Sequence, residues 1–328
     1  MRTLNPPLSE DQLVAAIALA LGEQPRRLVV GIGDDAAAWK APRSHVSLLT
    51  TDTLVDDVHF RLASTTPQAL GHKALAVNLS DIAAMGGTPA LAVVALGITD
   101  VVDESWARSF YGGMAKLARR YQCAIAGGDI VRAPMLTISV TVAGDVRKSG
   151  MRLRSGAKPG DLACVTGPLG LAAAGLRLSD TETSPLLRAA YETPTPRILE
   201  GKFLGASRAT HAMMDISDGL SLDIARMARA SGVDVCLDLA ALKPHEAIAA
   251  MADARELMLH GGDDYELLVA VDKRAYAHLA RRFKARFKRD LTSVGRFEKG
   301  TGKVWFVESG ERREHIPRGY DHLLTRAG

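Results

Sequence analysis

The chain has 328 residues, of which 47% are apolar and 24% charged, and its net charge is +4 at pH 7. This length is enough for two domains, and the composition is that of an ordinary globular protein with apolar residues for two cores. The small excess of basic residues raises the question of nucleic-acid binding. The densest basic run, residues 281–289, is however interpreted first as the solvated face of a helix.

The cysteines and the N-terminal residues indicate the cellular compartment in which the protein is expected. Cys123, Cys164 and Cys236 lie far apart and form no CxxC pair, so we expect reduced, mostly buried thiols. The first ten residues carry no apolar stretch of the signal-peptide kind, and the apolar run at residues 13–21 is too short to span a bilayer. We therefore expect a cytoplasmic protein that does not contact a membrane.

Helices and strands alternate along the first half of the chain. Capping residues Ser9, Thr66 and Asp103 predict the starts of helices. The predicted helices are residues 9–22, 66–85 and 103–121. Apolar runs and period-two alternation predict strands at residues 28–30, 46–50, 91–98, 123–126 and 136–143.

A polar, glycine-rich stretch at residues 147–158 is typical of a domain junction, so we expect domains at residues 1–146 and 147–328. A second series of helices and strands follows the junction. Its predicted helices are residues 171–178, 197–204 and 221–230. Its predicted strands are residues 162–166, 212–214, 233–237, 266–271 and 304–307. The fold class is therefore α/β, or α+β, with two domains.

Aspartates cluster at the ends of predicted strands and at helix edges, mostly beside glycine. They are Asp34, Asp35, Asp52, Asp81, Asp129, Asp215, Asp218, Asp263 and Asp264. Glycine lets the backbone turn sharply or approach a ligand, and carboxylates are the hard oxygen ligands that suit Mg²⁺. Asp and Gly are also ordinary turn residues, which is the better explanation for any one of these motifs. Several such motifs in one chain favour a metal site.

Asp81 lies on a strongly apolar predicted helix, three residues after Asn78, so that the two side chains share a face. A buried aspartate is costly unless it is paired or bound to a metal. A polar stripe that faces water fits the local sequence equally well. Both interpretations stay open at this point.

Several common catalytic motifs are absent from the sequence. There is no Walker A motif, no HRD or DFG pair of the protein kinases, no G-x-S-x-G and no histidine pair at metal-ligand spacing. Gly31 and Gly33 follow a predicted strand but lack the third glycine of a dinucleotide-binding turn.

The ordered set of motifs resembles the thiamine-monophosphate kinase family. The matching segments occur in family order over nearly the whole chain. They are residues 31–37, 51–55 with His59, 73–86, 127–129, 154–161, 165–167, 215–220, 261–267 and 319–322. Two residues depart from the family pattern, namely Asp57, where glycine is frequent, and Asp263, where glutamate is common.

The resemblance implies an ATP-dependent enzyme that converts thiamine monophosphate to thiamine diphosphate by direct in-line transfer, assisted by several Mg²⁺ ions. It also implies the two-domain fold of aminoimidazole ribonucleotide synthetase. The sheet of the N-terminal domain would pair with its copy in a homodimer. The accepting phosphate is already anionic near neutral pH, so no general base is required.

The resemblance also implies roles for individual residues. The implied Mg²⁺ ligands are Asp35, Thr50, Thr51, Asp52, Asp81, Asp129, Asp215 and Asp218, of which Asp52, Asp81 and Asp129 would bridge ions. The implied ATP contacts are Gly128, Arg154 and Ser217. The implied contacts to thiamine monophosphate are His59, Glu266 and Tyr320.

Two alternatives remain open. One is another ATP-dependent enzyme of the same superfamily with a different phosphorylated substrate. A selenophosphate synthetase would normally carry an early reactive cysteine, whereas the first cysteine here is Cys123. The other is a non-catalytic nucleotide-binding protein, which would have no use for so many acidic residues.

Overall fold

The computed structural model describes residues 10–30, 32, 38–40, 42–178 and 184–320. These residues form two compact units. Unit 1 takes the chain up to Arg43, together with Leu49–Asn78 and Pro89–Asp145. Unit 2 takes Ser44–Leu48, Leu79–Thr88 and the chain from Val146 onward. The boundary expected after residue 146 stays a prediction.

The described helices are α1 (Glu10–Leu21), α2 (Pro67–Ala84), α3 (Glu104–Tyr121), α4 (Leu171–Arg177), α5 (Pro185–Glu192), α6 (Ile198–Gly205), α7 (Leu220–Ser231), α8 (Ala254–His260) and α9 (Lys273–Phe287). The described strands are β1 (Leu28–Val30), β2 (Ala38–Trp39), β3 (His45–Val55), β4 (Thr88–Ile98), β5 (Ala124–Arg132), β6 (Thr137–Arg147), β7 (Leu162–Val165), β8 (Thr210–Ile216), β9 (Val233–Asp238), β10 (Glu266–Val271), β11 (Thr292–Lys299), β12 (Val304–Glu308) and β13 (Glu311–His315).

Unit 1 is built on a four-stranded sheet in the order β3-β6-β4-β5, in which β4 and β5 run parallel. The predicted cap of α3 is confirmed, because the Asp103 carboxylate accepts a 2.7 Å hydrogen bond from the Trp106 backbone N–H. Phe110 and Met114 on the inner side of α3 are fully buried, and α1 packs against the same helix. Burial of this apolar face fixes the helices on the sheet.

Unit 2 is built on a seven-stranded sheet in the order β13-β12-β9-β11-β7-β10-β8. Its pairings are antiparallel except for β12 beside β9. All six residues of β10 are buried, which explains why its sequence is a continuous apolar run after Glu266. Ile224 and Met227 of α7 pack into the same core as Phe297 of β11.

The two-domain α/β prediction is confirmed, but two predicted strand ends are wrong. Strands β3 and β5 continue to Val55 and Arg132, so Asp52 and Asp129 lie inside strands. In β5 the continuation depends on Gly128, because a Cβ atom there would lie 1.8 Å from the Val94 carbonyl oxygen of β4. Glycine, expected to end the strand, instead permits close pairing.

Other elements were not predicted from the sequence. Helices α5 and α8 are short, and β13 carries mostly charged residues, which suits an edge strand. Most of the basic run at residues 281–289 forms the exposed side of α9, with Phe283 buried beneath it, but Arg289 lies beyond the helix and pairs with the buried Glu266. The three cysteines are buried and unpaired. Among the described residues, no helix is long and apolar enough to cross a membrane.

One buried carboxylate organises the turn between β11 and β12. Oδ1 of Asp234 accepts hydrogen bonds from the backbone N–H groups of Thr301, Gly302 and Lys303 at 2.8, 3.1 and 2.9 Å. Its Oδ2 accepts from Trp305 Nε1 at 3.1 Å. Burial acts to raise the pKa of Asp234, but these hydrogen bonds hold it below its ordinary value.

We expect Asp234→Ala to lower the free energy of unfolding by roughly 2–4 kcal/mol, because several donors lose their acceptor at once. Urea unfolding followed by circular dichroism measures this loss. Asp290→Ala is the matched control, since Asp290 is exposed and pairs only at the surface with Lys284, and its cost should stay below about 1 kcal/mol. Equal losses in the two variants would contradict a structural role for Asp234.

Candidate active site

In unit 1, the implied ligands on β3 alternate between the two sides of the strand. Thr50 and Asp52 are half-buried, whereas Thr51 and Thr53 are exposed. The Thr51 hydroxyl donates to the Val140 carbonyl at 3.2 Å and accepts from Thr141 Oγ1 at 3.0 Å. Thr51 and Asp52 therefore do not present their side chains to one ion. A shared ion would have to use the backbone carbonyl of Thr51.

Asp129 is exposed and lies opposite Ala95 in the pairing of β5 with β4. Strands β3 and β5 form the two edges of the sheet, with β6 and β4 between them. At about 4.8 Å per strand, the edges lie on the order of 14 Å apart through the sheet. The sheet of one chain therefore does not bring Asp52 and Asp129 together.

His59 lies in a tight turn directly after β3. Its backbone N–H donates to the Val55 carbonyl at 2.9 Å, and its Nδ1 accepts from the Val55 N–H at 3.0 Å. Nδ1 is thus the acceptor, and the neutral ring carries its proton on Nε2. Asp57 in this turn has a φ of 60°, the left-handed conformation that glycine adopts most easily and that aspartate tolerates. This explains how Asp57 can stand where the family often has glycine.

In unit 2, the structure brings Asp81 of α2 close to Asp215 of β8. Asp215 is buried, and its Oδ2 accepts a 2.7 Å hydrogen bond from the buried Ser80 hydroxyl. Burial, and then the charge of Asp81, raise the pKa of Asp215 above its ordinary value, although the bond from Ser80 acts in the opposite direction. Two carboxylates held in this way are costly unless a cation joins them.

Asn78, one turn before Asp81 on α2, is fully buried. Its Nδ2 donates to the Ala74 carbonyl at 3.2 Å, while its Oδ1 is buried and has no hydrogen-bond partner among the described residues. Asp81 itself is half-buried. The polar side of α2 is therefore not a water-facing stripe along its whole length, because it is buried at Asn78 and half-buried at Asp81. The metal-binding role of Asp81 stays a prediction.

The loop between β8 and α7 is held in place by residues that the sequence did not single out. Oδ2 of Asp223 accepts the backbone N–H groups of Ser217 and Asp218 at 3.1 and 3.0 Å. Arg226 Nη1 donates to Asp218 Oδ2 at 2.5 Å and to Asp223 Oδ1 at 2.7 Å. Burial and the neighbouring Asp218 raise the pKa of Asp223 to about 6. The three-residue spacing from Asp223 to Arg226 on a helix is the signal that could have identified this pair.

Glu266 and Tyr320, the two residues of unit 2 that are implied to contact thiamine monophosphate, lie in different surroundings. Glu266 is buried, and its oxygens accept from Thr166 Oγ1 at 2.7 Å, from Arg197 Nη2 at 2.7 Å and from Arg289 Nη2 at 2.5 Å. Burial acts to raise the pKa of Glu266, but the two guanidinium groups hold it below its ordinary value. A direct contact from this carboxylate to an acceptor stays a prediction.

Tyr320 is half-buried, and its backbone N–H donates to the Asp218 carbonyl at 3.0 Å. The segment before it is anchored to α7, since the Arg318 N–H donates to Ser221 Oγ at 3.3 Å. Ser221 Oγ also lies 2.8 Å from Nε2 of His315, whose ring stacks on Phe306 with centroids 3.8 Å apart. This anchor places Tyr320 beside the loop that carries Asp218.

The remaining implied residues are reported by position only. Gly128 and Arg154 are exposed, Ser217 is half-buried, and Asp35 lies outside the described residues. No group of three His, Cys, Asp or Glu side chains that could hold a metal ion occurs among the described residues. Mg²⁺ is usually bound by one or two carboxylates together with substrate phosphates rather than by a complete protein cage. The Asp81–Asp215 pair fits that kind of site.

Comparison with known proteins identifies the family. Residues 33–146 match the model for the N-terminal domain of AIR synthase related proteins, and residues 158–307 match the model for their C-terminal domain. The chain is 35% identical over 305 residues to the thiamine-monophosphate kinase of Bacillus subtilis (strain 168), covering 90% of this chain and 93% of the relative. The chain belongs to the thiamine-monophosphate kinase family.

Solved structures of the family agree with the fold described above. The structure of thiamine-monophosphate kinase from Stenotrophomonas maltophilia K279a is 35% identical and has a TM-score of 0.82, over 93% of this chain and 98% of that one. A structure described as AaThiL complexed with AMPPCP and TMP is 32% identical and has a TM-score of 0.75, over 98% of this chain and all of that one. The predicted aminoimidazole ribonucleotide synthetase-like fold is thus confirmed.

We expect the contacts of His315 with Ser221 and Phe306 to stabilise the fold less at acidic pH. Burial, and then the neighbouring His260, lower the pKa of His315 to about 4 in the folded chain, whereas the ordinary value is 6.5. Above pH 6.5 the ring is neutral in both states. Between pH 6.5 and 4 the unfolded chain binds a proton that the folded chain does not, so stability falls as the pH falls.

His315→Gln should remove this contribution. Between pH 7.5 and 5, the free energy of unfolding of the original chain should fall by about 1 kcal/mol more than that of the variant, a modest figure because the ring stays partly in contact with water. Urea unfolding at several pH values gives the comparison. Parallel pH profiles for the two proteins would show that His315 is not the group responsible.

Proposed function

We propose that this chain transfers the terminal phosphoryl group of ATP to the phosphate of thiamine monophosphate, giving thiamine diphosphate. The observation that carries the proposal is the proximity of Asp81 to the buried Asp215, in a chain that aligns with thiamine-monophosphate kinases over nine-tenths of its length. A bound cation would offset the repulsion between these two carboxylates. Phosphoryl transfer needs cations to neutralise the charge of the phosphates.

We propose Mg²⁺ as that cation, held mainly by carboxylates. The proposed ligands are Asp35, Thr50, Thr51, Asp52, Asp81, Asp129, Asp215 and Asp218, with Thr51 acting through its backbone carbonyl. When bound, Mg²⁺ neutralises phosphate oxygens and favours their in-line arrangement. Asp223 and Arg226 contribute indirectly, because they fix the backbone of Ser217 and Asp218.

On the nucleotide side, we assign Gly128, Arg154 and Ser217 as ATP contacts. Arg154 is an exposed cation, which suits phosphate oxygens. Ser217 comes shortly before the N-terminus of α7, where unpaired backbone N–H groups and the helix dipole favour an anion. The donor phosphates would therefore meet positive groups of the protein itself as well as the metal.

On the acceptor side, we assign His59, Tyr320 and Glu266. The Nε2–H of His59 can donate to an anionic phosphate, and the face of Tyr320 can cover a flat cationic ring. Glu266 would act at a distance, since its oxygens are engaged by Thr166 and two arginines. The accepting phosphate oxygen is already negative, so transfer is direct and uses neither a general base nor a phosphoenzyme.

We further propose a cytoplasmic homodimer formed through unit 1. Leu49 on β3 and Val131 on β5 are 76% and 53% exposed, which is unusual for apolar residues on a sheet. Both lie on edge strands, which are open to pairing with a second copy. Pairing β5 of one chain with β3 of its partner would also bring Asp129 toward Asp52 of the other chain. The buried, reduced cysteines suit the cytoplasm.

The test of the function is ADP release by the full chain with ATP and Mg²⁺, comparing thiamine monophosphate with thiamine and with other small phosphomonoesters. We expect release that depends on thiamine monophosphate. Release with another phosphomonoester but not with thiamine monophosphate would identify a different enzyme of the superfamily. Binding of ATP without release for any acceptor would identify a non-catalytic nucleotide-binding protein.

Asp52→Asn keeps the shape of the side chain but removes its charge. We expect kcat to fall at least about a hundredfold, the scale seen when an electrostatic group at a reacting centre is lost, with an unchanged circular dichroism spectrum. Asp100→Asn is the control, because Asp100 is an exposed acid paired with Arg132. Turnover equal to the original chain at limiting Mg²⁺ would rule out a metal-binding role for Asp52.

His59→Ala and Tyr320→Ala should raise the KM for thiamine monophosphate about tenfold and leave the KM for ATP nearly unchanged, as when binding of one substrate alone is weakened. Tyr320→Phe keeps the aromatic face and should keep the KM of the original chain. Initial rates with each substrate varied in turn give the two constants. A raised KM for ATP with an unchanged acceptor KM would place the acceptor elsewhere.

A further inference from the structure

A cavity of about 390 Å³ lies within unit 2, and Glu266 is the only residue of its lining to which the proposed function assigns a role. Its apolar wall comes from α4 and α5 and from the segment that follows α5, and includes Ala172, Ala189 and Pro194. Its polar end is formed by Arg197, Glu266, Arg289 and Asp264. The volume falls within the range of cavities that bind small molecules, and an apolar wall with a few convergent polar groups is typical of such sites.

Two arginines share one carboxylate at the polar end of the cavity. Arg197 and Arg289 both donate to the single carboxylate of Glu266, which is almost completely buried. The fourth polar group, Asp264, accepts the Gly170 N–H with both oxygens at 3.0 and 2.9 Å. Burial raises the pKa of Asp264 well above its ordinary value, although the hydrogen bond from the Gly170 N–H acts in the opposite direction.

Arg289 has hydrogen-bonding capacity that the protein does not use. A guanidinium group has five N–H donors. Within the part of the chain that the structure describes, Arg289 makes one hydrogen bond, from Nη2 to Glu266 Oε1 at 2.5 Å. Its side chain is 25% exposed at the cavity. Donors that point toward a cavity and have no protein acceptor there can bind an anionic ligand.

The ion pair is built into the surrounding loop. A Cβ atom on Gly167 would lie 2.0 Å from Arg289 Nη2 and 2.3 Å from Glu266 Oε1, so the pair occupies the space that a side chain would need. Thr166, the residue before, donates to the other oxygen of Glu266 at 2.7 Å. The position of the guanidinium group is thus fixed before any ligand arrives, which lowers the entropy cost of binding.

We propose that this cavity binds a small organic anion, with one carboxylate or phosphate group at Arg289 and a compact apolar body against Ala172, Ala189 and Pro194. Both groups form charge-assisted, bidentate hydrogen bonds with a guanidinium. A ligand whose main charge is positive is disfavoured by the two arginines. This site shares Glu266 with the proposed acceptor contacts but uses none of the assigned metal or ATP residues.

The test uses the full chain and ¹⁹F NMR, in which binding broadens or shifts the ligand signal. The probes are 4-fluorobenzoate and 4-fluorophenyl phosphate, with the neutral 4-fluorobenzyl alcohol as the control. We expect saturable binding of at least one anion, and the stronger of the two identifies the preferred acid group. The alcohol should not bind. Excess thiamine monophosphate should not displace the anion.

Two variants locate the binding. Arg289→Gln should weaken binding about tenfold or more, the scale expected for losing a hydrogen bond to a charged group, and Arg286→Gln, an exposed cation on α9, should leave it unchanged. Ala189→Phe should abolish binding by filling the cavity without removing a charge. Ala189→Phe tests the location of the site even if Arg289→Gln does not fold. Because Ala189 is exposed, its substitution should not disturb the core.

Several results would overturn the inference. They are no binding of either anion, equal binding of the alcohol, equal effects of Arg289→Gln and Arg286→Gln, or binding that survives Ala189→Phe. Displacement by thiamine monophosphate would also overturn it, because the cavity would then belong to the acceptor site. None of these outcomes depends on catalysis, so failure here is distinguishable from failure of the ADP-release assay.

Discussion

The repulsion between Asp81 and Asp215 is the constraint on which the candidate site depends. Asp215 ends a buried strand, and Ser80 supplies one hydrogen bond to an oxygen that has lost its water. One hydrogen bond does not offset the cost of placing the buried Asp215 beside a second carboxylate. The fold keeps this arrangement by pairing β8 with β10 at the edge of a seven-stranded sheet, whose stability can tolerate a locally costly site. A bound cation converts the same arrangement from a cost into a specific binding site.

The acids of unit 2 fall into two groups that differ in their partners. Glu266 and Asp234 are fully satisfied by arginines or by backbone and indole donors, and their pKa values lie below the ordinary ones. Asp215 and Asp223 are buried beside other acids, and their pKa values are raised. The first group stabilises the fold, and the second group marks a site that needs positive charge. A buried carboxylate therefore either stabilises the fold or creates a need for positive charge, depending on whether its neighbours are donors or other acids.

Local signals predicted the main elements well. Periodicity and capping residues located α2, α3 and α7, and the apolar runs located β4 and β10. The glycine-rich motif at residues 127–129 gave a wrong end for β5, because a glycine beside an aspartate marks either a turn or a close approach between strands. The difference depends on the Val94 carbonyl of the neighbouring strand, about thirty residues away, which no local pattern specifies.

The site was predictable only as a set of residue types. Contacts that link distant parts of the chain, such as Ser80 with Asp215 or Arg197 and Arg289 with Glu266, decide which acids are paired and which are not. The case of Glu266 shows the consequence. From the sequence it is an acid suited to a cationic ring, yet the fold surrounds it with two guanidinium groups. Arg289 lines the cavity beside this acid and is partly exposed there, so the cavity suits an anion, the opposite of what the residue alone would indicate.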